Sequence, residues 1–187
     1  MKKFLARGLL PLALLAALAI ALPAGATVVR YLSLDDQIAL AQLVVRVRGG
    51  DARTFRSEKD GRPRTDRKFT ILETYKGDLG PGQTVTVRQM RETTGPETLR
   101  IPGDPELREG EEAVLFLVRD ESGTAFLAAL GQSKFEVVRD DSGAWVKRNL
   151  DGLAFLVDDA GVMEPVDEAP VPLDLFADTL RTIVKGE

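Results

Sequence analysis

Cys and His, the side chains most often used for covalent and acid–base work at neutral pH, are absent from all 187 residues. A thiol nucleophile, an imidazole base and a Ser-His-Asp triad are therefore excluded. So are a disulfide framework and any zinc or haem held by Cys or His. Carboxylate, Lys, Tyr and Ser chemistry remains. Gly131-Gln132-Ser133-Lys134 comes nearest to a nucleophile site. Phe135 stands where G-x-S-x-G needs its second Gly, and Ser133 and Lys134 are neighbours rather than spaced as S-x-x-K. The segment reads as a glycine kink at the start of a strand.

Four acidic pairs, Asp35-Asp36, Glu111-Glu112, Asp140-Asp141 and Asp158-Asp159, raise the question of calcium or a carboxylate acid–base pair. None sits in a D-x-D-x-D-G loop, and neighbours on a strand point to opposite faces, so such pairs split. Turn and cap roles are expected of them. Between Arg46 and Lys68, nine Lys or Arg stand against four Asp or Glu. Arg46, Arg48, Arg53, Arg56, Arg62, Arg64, Arg67 and Lys68 are the candidate contacts for an anionic partner, such as a phospholipid head group or an acidic glycan. The competing reading is a solvated hairpin tip, charged for solubility. Phe55 and Phe69 are the only aromatics in this stretch, too few for the stacking platform that binds single-stranded nucleic acid. Tyr75 and Trp145 are expected in the core or at its rim.

Lys2, Lys3 and Arg7 precede an uncharged, Leu- and Ala-rich run over 8–22, and Ala24-Gly25-Ala26 offers small residues at the two positions a signal peptidase reads. Cleavage between Ala26 and Thr27 is expected; an uncleaved membrane anchor is the alternative, with a run shorter than the roughly 20 residues that span a bilayer. No Cys follows the run, which excludes a lipid-modified N-terminal Cys. Three bases and no acids precede Thr27, so the formal charge of −4 becomes −7 in the processed chain. An acidic, exported protein is a poor nucleic-acid partner. With no disulfides to help it, its core must be self-sufficient, for which the 161 residues after Ala26 suffice.

Around these residues the patterning is mostly of period 2. Ser33 with Asp36 is a candidate cap for a short helix over 34–41. Strands are expected over 43–48, 69–75, 84–88, 113–118, 126–130, 135–138 and 145–147, with 49–66 a long polar stretch and 96–110 irregular. The 113–118 segment is apolar on both faces, as in a central strand covered on both sides. Leu173, Phe176, Ala177, Leu180, Ile183 and Val184 form one apolar helical stripe, expected to dock on the β domain; a partner-binding helix is the alternative. The fold class expected is mainly β, a small OB-like barrel with a short N-terminal helix and a C-terminal amphipathic helix, or else a two-sheet sandwich. The boundaries are a signal peptide over 1–26, a β-barrel domain over 27–157, an acidic and Pro-rich linker over 158–172 and the helix over 173–187.

The stretch 41–138 resembles the netrin-like or TIMP-like module, the OB barrel of the tissue inhibitors of metalloproteinases. Ala41-Gln42-Leu43-Val44-Val45-Arg46 resembles its A-D-V-V-x-R/G first strand, Thr74-Tyr75-Lys76-Gly77 its aromatic-K-G strand end, and Glu109-Gly110-Glu111-Glu112-Ala113-Val114-Leu115-Phe116-Leu117 its G-E-x-h-L-L-F-h strand. The chain is also similar to exported bacterial proteins of unknown role that share Ala26-Thr27-Val28-Val29-Arg30 and a G-K-F-x-V-like strand, here Ser133-Lys134-Phe135-Glu136-Val137. In the animal inhibitors an N-terminal Cys chelates the target's zinc through its amine and carbonyl; here that Cys has no counterpart, and Thr27 would supply only an amine and a carbonyl. A first strand over 27–32, pairing along the barrel edge, is the competing role for this terminus.

The function expected is a non-catalytic, exported protein-binding module, periplasmic or secreted, with no cofactor. Its partner would be another extracytoplasmic protein; the resemblance implies an inhibitor-like or accessory partner of one such as a metalloprotease. A hydrolase using carboxylate, Ser or Lys, and a structural envelope protein, are the alternatives.

Overall fold

The period-2 patterning becomes strands, and the two apolar helical stripes become helices. The computed structural model describes residues 25–94, 97–157, 161–163 and 167–186. The readings on Lys2, Lys3, Arg7, the 8–22 run, Ala24 and Asp158-Asp159 lie outside the described residues. Strand β1 (Thr27–Arg30) leads to helix α1 (Leu34–Leu40). Then come β2 (Leu43–Arg56), β3 (Pro63–Lys76), β4 (Thr84–Gln89), β5 (Arg91–Thr94), β6 (Glu97–Arg100), β7 (Glu112–Arg119) and β8 (Ala125–Leu127). After a 3-10 turn (Leu130–Ser133) follow β9 (Lys134–Asp140), β10 (Gly143–Arg148), β11 (Leu153–Val157), β12 (Gly161–Met163), β13 (Val171–Pro172) and α2 (Leu173–Gly186).

The main sheet has the order β13-β10-β9-β7-β2-β3-β4-β8, with a further pairing of β7 to β8. The described residues are thus mainly β with two helices, as the patterning predicts, and among them the strands do not form a closed barrel. Strand β8 has three residues, and it meets β4 at a single pair, Val87 with Ala125, so no continuous ladder seals that edge. Strands β1, β11 and β12 make a separate three-stranded sheet, and β5 and β6 a two-stranded one.

Strand β7 supplies the two larger of the three apolar clusters among the described residues; the third gathers Leu150, Leu153 and Phe155. Ala113, Leu115 and Leu117 point into a cluster with Leu43, Val45, Val47, Phe69, Ile71, Val85, Val87 and Leu107. Val114 and Phe116 point the other way, into a cluster with Ile38, Val44, Tyr75, Phe135, Phe176 and Leu180. Both helices close that second cluster. In α1, Ser33 caps the helix: its hydroxyl accepts the Asp36 N–H at 3.1 Å while the Asp36 carboxylate accepts the Ser33 N–H at 3.2 Å. In α2, Leu173, Phe176, Ala177 and Leu180 are buried, so the apolar stripe docks on the sheet.

Four local expectations change. The polar stretch over 49–66 is largely strand: β2 and β3 continue as an arm in which Ala52 pairs with Arg67 and Arg56 with Pro63, and β4 lines β3 as far as Thr65. The arm buries little apolar surface, so it carries no apolar period to read. In the 96–110 region β6 pairs with β5, and after Phe126 the strand is short, because Leu130 adopts φ 51 and opens the 3-10 turn. Finally, residues 153–157 form a strand that pairs in parallel with β1, so the N-terminal strand joins β11 and not the edge of the main sheet.

Because Val114 and Leu115 are both fully buried, in different cores, Val114→Asp and Leu115→Asp are each expected to abolish folding. A buried unpaired carboxylate costs several kcal/mol, comparable with a whole domain's stability of roughly 5–15 kcal/mol. A cooperative melt near that of the wild type for either variant would contradict this placement of β7.

Candidate functional site

Ser133 ends the 3-10 turn and Lys134 opens β9, and the two side chains take separate partners. Ser133 is fully buried, and its hydroxyl accepts the Ala129 N–H at 2.7 Å. The Lys134 ammonium donates to the Glu111 carboxylate at 2.8 Å and to the Glu106 carbonyl. Both side chains of this ion pair are less than a tenth exposed, at 7% and 8%. Glu111 also accepts the Arg108 N–H at 2.8 Å. The hydroxyl and the amine therefore diverge and assemble no Ser–Lys dyad; Lys134 instead clasps the 101–111 loop onto β9.

Two glycines let that loop lie close on its neighbours. A Cβ on Gly49 would stand 2.0 Å from the Arg108 carbonyl oxygen, and one on Gly103, at φ +78°, would stand 2.1 Å from Leu153 Cδ2. Under the loop is a polar pocket of about 120 Å³ whose lining includes Asp104, Glu106, Arg108, Lys134, Glu136 and Asp151. Asp104 is buried, and burial pushes its carboxyl above the usual range against the pull of its hydrogen bond to Gln89 and of Arg91 and Arg100. Among the described residues no group of three or more carboxylates could hold a metal ion. The acidic pairs divide as strand and turn geometry dictates. Glu111 joins the clasp, whereas Glu112 binds Arg46 at 2.9 Å and Arg139 at 2.8 Å. Asp36 caps α1, and Asp140 takes the Ser142 N–H at 2.8 Å in a turn.

The eight residues of the basic run do not make one patch. Arg46 belongs to a network under α2: it binds Glu112 and Glu73, and Glu73 also binds Arg181 and the Tyr75 hydroxyl. Burial, followed by the Glu73 charge, pushes the Tyr75 phenol up. The alternation of the arm separates the others. Cross-strand pairs share a face. Arg48 pairs with Thr70, Arg53 with Asp66 and Phe55 with Arg64; Lys68 pairs with Thr86 and Asp66 with Arg88. Arg48, Arg53, Arg64, Lys68 and Arg88 therefore share the outer face of β2, β3 and β4, with Asp66 among them. On that face Arg88 holds Asp66 through two bonds of 2.6 and 2.7 Å, Arg64 holds Asp60 at 2.7 Å, and Arg53 and Arg88 flank the Phe55 ring at 5.8 and 5.1 Å. Arg56 and Arg67 lie on the other face of the arm, where Arg67 donates to the Gly50 carbonyl and Arg56 to the Gly61 carbonyl at 3.2 Å. Arg62 sits in the turn, its N–H on Asp60. Arg88 is the residue that a reading of the 46–68 run misses. Its alternation with Val85 and Val87 in β4 was the available signal, since it puts Arg88 on the face away from the core.

Of the two other aromatics singled out, Tyr75 is buried. Trp145 is half-buried at the rim of a groove with Val138, Lys147 and Pro170, its indole N–H 3.4 Å from Asp140. Ala26 is exposed and Thr27 begins β1. The Thr27 N–H donates to the Gly152 carbonyl at 2.9 Å and its hydroxyl to the Pro102 carbonyl at 2.6 Å. Thr27 is thus engaged as a strand residue. Among the described residues no helix is long and apolar enough to cross a membrane. No family model matches the chain, and a search of curated proteins finds no match.

Lys134→Met is expected to destabilise the protein by about 3–5 kcal/mol, because Glu111 would be left buried without its cation. The double variant Lys134→Met, Glu111→Leu should recover much of that loss, as read from denaturant midpoints. Equal losses in the two would show that the clasp is not what couples these residues.

Asp104 gives a pH test. Its folded pKa is raised, so the folded state binds the proton more tightly than the unfolded state, and ionisation of Asp104 above that pKa opposes folding. Asp104→Asn should therefore melt higher than wild type at pH 7, and the gap should close as the pH falls through the raised pKa toward the ordinary carboxylate range. A gap that widens on acidification would reverse the assignment.

Proposed function

We propose that the chain is an exported, non-catalytic binding module of OB-like, partly open architecture, which engages an acidic surface of another extracytoplasmic protein through the outer face of β2, β3 and β4 and the projecting arm. The OB-like reading draws on the strand order β7-β2-β3-β4-β8, on the parallel approach of β8 to β4 and on the pairing of β7 with β8. In an OB fold the face of the second and third strands and the loop joining the first two carry the ligand. Here those parts are the β3–β4 face and the arm. Export draws on the three-part leader that ends at Ala26.

The observation that carries the reading is the arm. Residues 51–54 and 58–62 are exposed, yet 52–56 are held in register against β3. Ordering each backbone residue costs roughly 1–2 kcal/mol, and the arm returns little apolar burial for it. Core stability does not account for such an element, whereas a contact surface does. The cations along it would steer an acidic partner and set its orientation.

A hydrolase is the second reading, favoured by the shared pocket of Lys134 and Asp104. It has against it that Lys134 is engaged by Glu111 and the Glu106 carbonyl.

Poly-L-glutamate serves as a probe for an acidic protein surface. The processed protein should bind it at low salt, with affinity falling steeply as salt rises. Arg53→Glu with Lys68→Glu should weaken binding at least tenfold, while Lys147→Glu, on β10, should leave it within twofold. Equal binding by all three proteins would remove the face from consideration; binding of anionic vesicles but not of poly-L-glutamate would replace the protein partner with a lipid one.

A further inference from the structure

Several features bind the N-terminal strand to parts of the chain more than 70 residues away. The Thr27 N–H meets the Gly152 carbonyl at 2.9 Å, and the Thr27 hydroxyl meets the Pro102 carbonyl at 2.6 Å. Residues 27–30 pair in parallel with 153–156. Beyond them, the buried Gln132 amide forks onto the backbone, accepting the Leu32 N–H at 2.8 Å and donating to the Arg30 carbonyl at 3.0 Å. Tyr31 packs edge-on against Phe155, and its hydroxyl accepts from Arg148 at 3.1 Å. The segment therefore does more than lead into α1. Without it Gln132 would be buried with its amide unmatched, and β11 would lose one of its two ladders.

Thr27 is also the first residue after the Ala24-Gly25-Ala26 cleavage motif. Resting on the export reading above, we propose that cleavage of the Ala26–Thr27 bond completes a latch: the α-ammonium released on Thr27 docks on the Gly152 carbonyl and locks β1 onto β11. In that step water adds across the amide bond, leaving a carboxylate on Ala26 and the amine on Thr27. At neutral pH the amine takes a proton. A neutral N–H donor 2.9 Å from a carbonyl is thereby replaced by a charged one, and charge-assisted hydrogen bonds are roughly twice as strong. The charged groups on the elements packed there are Asp151, beside Gly152, and Arg100 and Asp104, flanking Pro102 and Gly103; β11 carries none, and β1 itself carries Arg30. Gly25 and Ala26 are exposed, so an extension before Thr27 fits the same fold.

The linkage has a definite sign. An α-amine titrates near 7.7–8.0 when free, and the carbonyl partner favours its charged form, which raises the folded value. The added stability is present below the free value and is lost as the pH rises through the folded one. The test compares protein made with Thr27 as its true first residue against protein with one added Ala, together with mass analysis of the exported chain. At pH 6.5 the native terminus should melt higher by roughly 2–4 °C, the response of a domain this size to about 1 kcal/mol. By pH 10 the gap should vanish. Thr27→Val, which loses the hydroxyl and keeps the amine, should melt lower in both forms and retain the pH-dependent gap between them. Superimposable melting curves at all pH values would overturn the latch and leave the export reading standing. An exported chain beginning at another residue would overturn the latch and the Ala26–Thr27 cleavage site, and a chain retained in the cytoplasm with its leader uncleaved would overturn the latch and the export reading together.

Discussion

Strand β7 offers no solvent-facing position from Ala113 to Leu117, and this double burial organises the molecule. An apolar strand of that kind needs a cover on each side. On one side β2, β3, β4 and β8 wrap round with Leu107 from the 101–111 loop. On the other side α1 and α2 supply Ile38, Phe176 and Leu180. The two covers differ in reach. The helices shield β7, β9, β10 and the near ends of β2 and β3, so the outer side of β2, β3 and β4 farther along is left to water. That uncovered face is where Arg48, Lys68 and Arg88 stand, and from it the arm extends. The binding surface proposed here is thus a consequence of where the helices stop.

The loop between β6 and β7 is the second organising element. It places Leu107 in one core, passes its backbone against Gly49, and holds itself down through Glu111 and Lys134. A buried ion pair adds little net stability over an apolar pair, but losing one member is costly. Its worth here lies in fixing one loop path. The same loop presents Pro102 to Thr27, which ties the N-terminal strand to the region where Asp104 is buried.

Much of this arrangement was legible in the residues. The uninterrupted apolar run from Ala113 to Leu117 marked the central strand, the 3.6-residue stripe marked α2, and Ser33 with Asp36 marked the α1 cap. The capping box needed only local spacing, and the two apolar segments only period and length. The arm was not legible, because its strands are held by backbone pairing and by ties such as Thr54 to Thr65 at 3.0 Å, without an apolar face. Nor was the pairing of β1 with β11, a parallel contact between residues some 125 apart that no local pattern encodes. The basic run was visible as a count, but which cations share a face depended on the bulge at 49–52 and on the register of β2, β3 and β4. The clasp escaped as well: Lys134 stands opposite Leu115 in the β7–β9 ladder, and no local spacing shows that Glu111, in the loop before β7, meets it.

The central claim is that the outer face of β2, β3 and β4, with its arm, is the contact surface for an acidic partner. Backbone amide shifts followed by two-dimensional NMR during titration with poly-L-glutamate test it most directly. The account predicts that the largest changes fall on Arg48, Arg53, Lys68 and Arg88 and their strand neighbours, with the amides around Trp145 and on α2 unmoved. Changes centred on the Trp145 groove or on α2, or none at saturating probe, would contradict it.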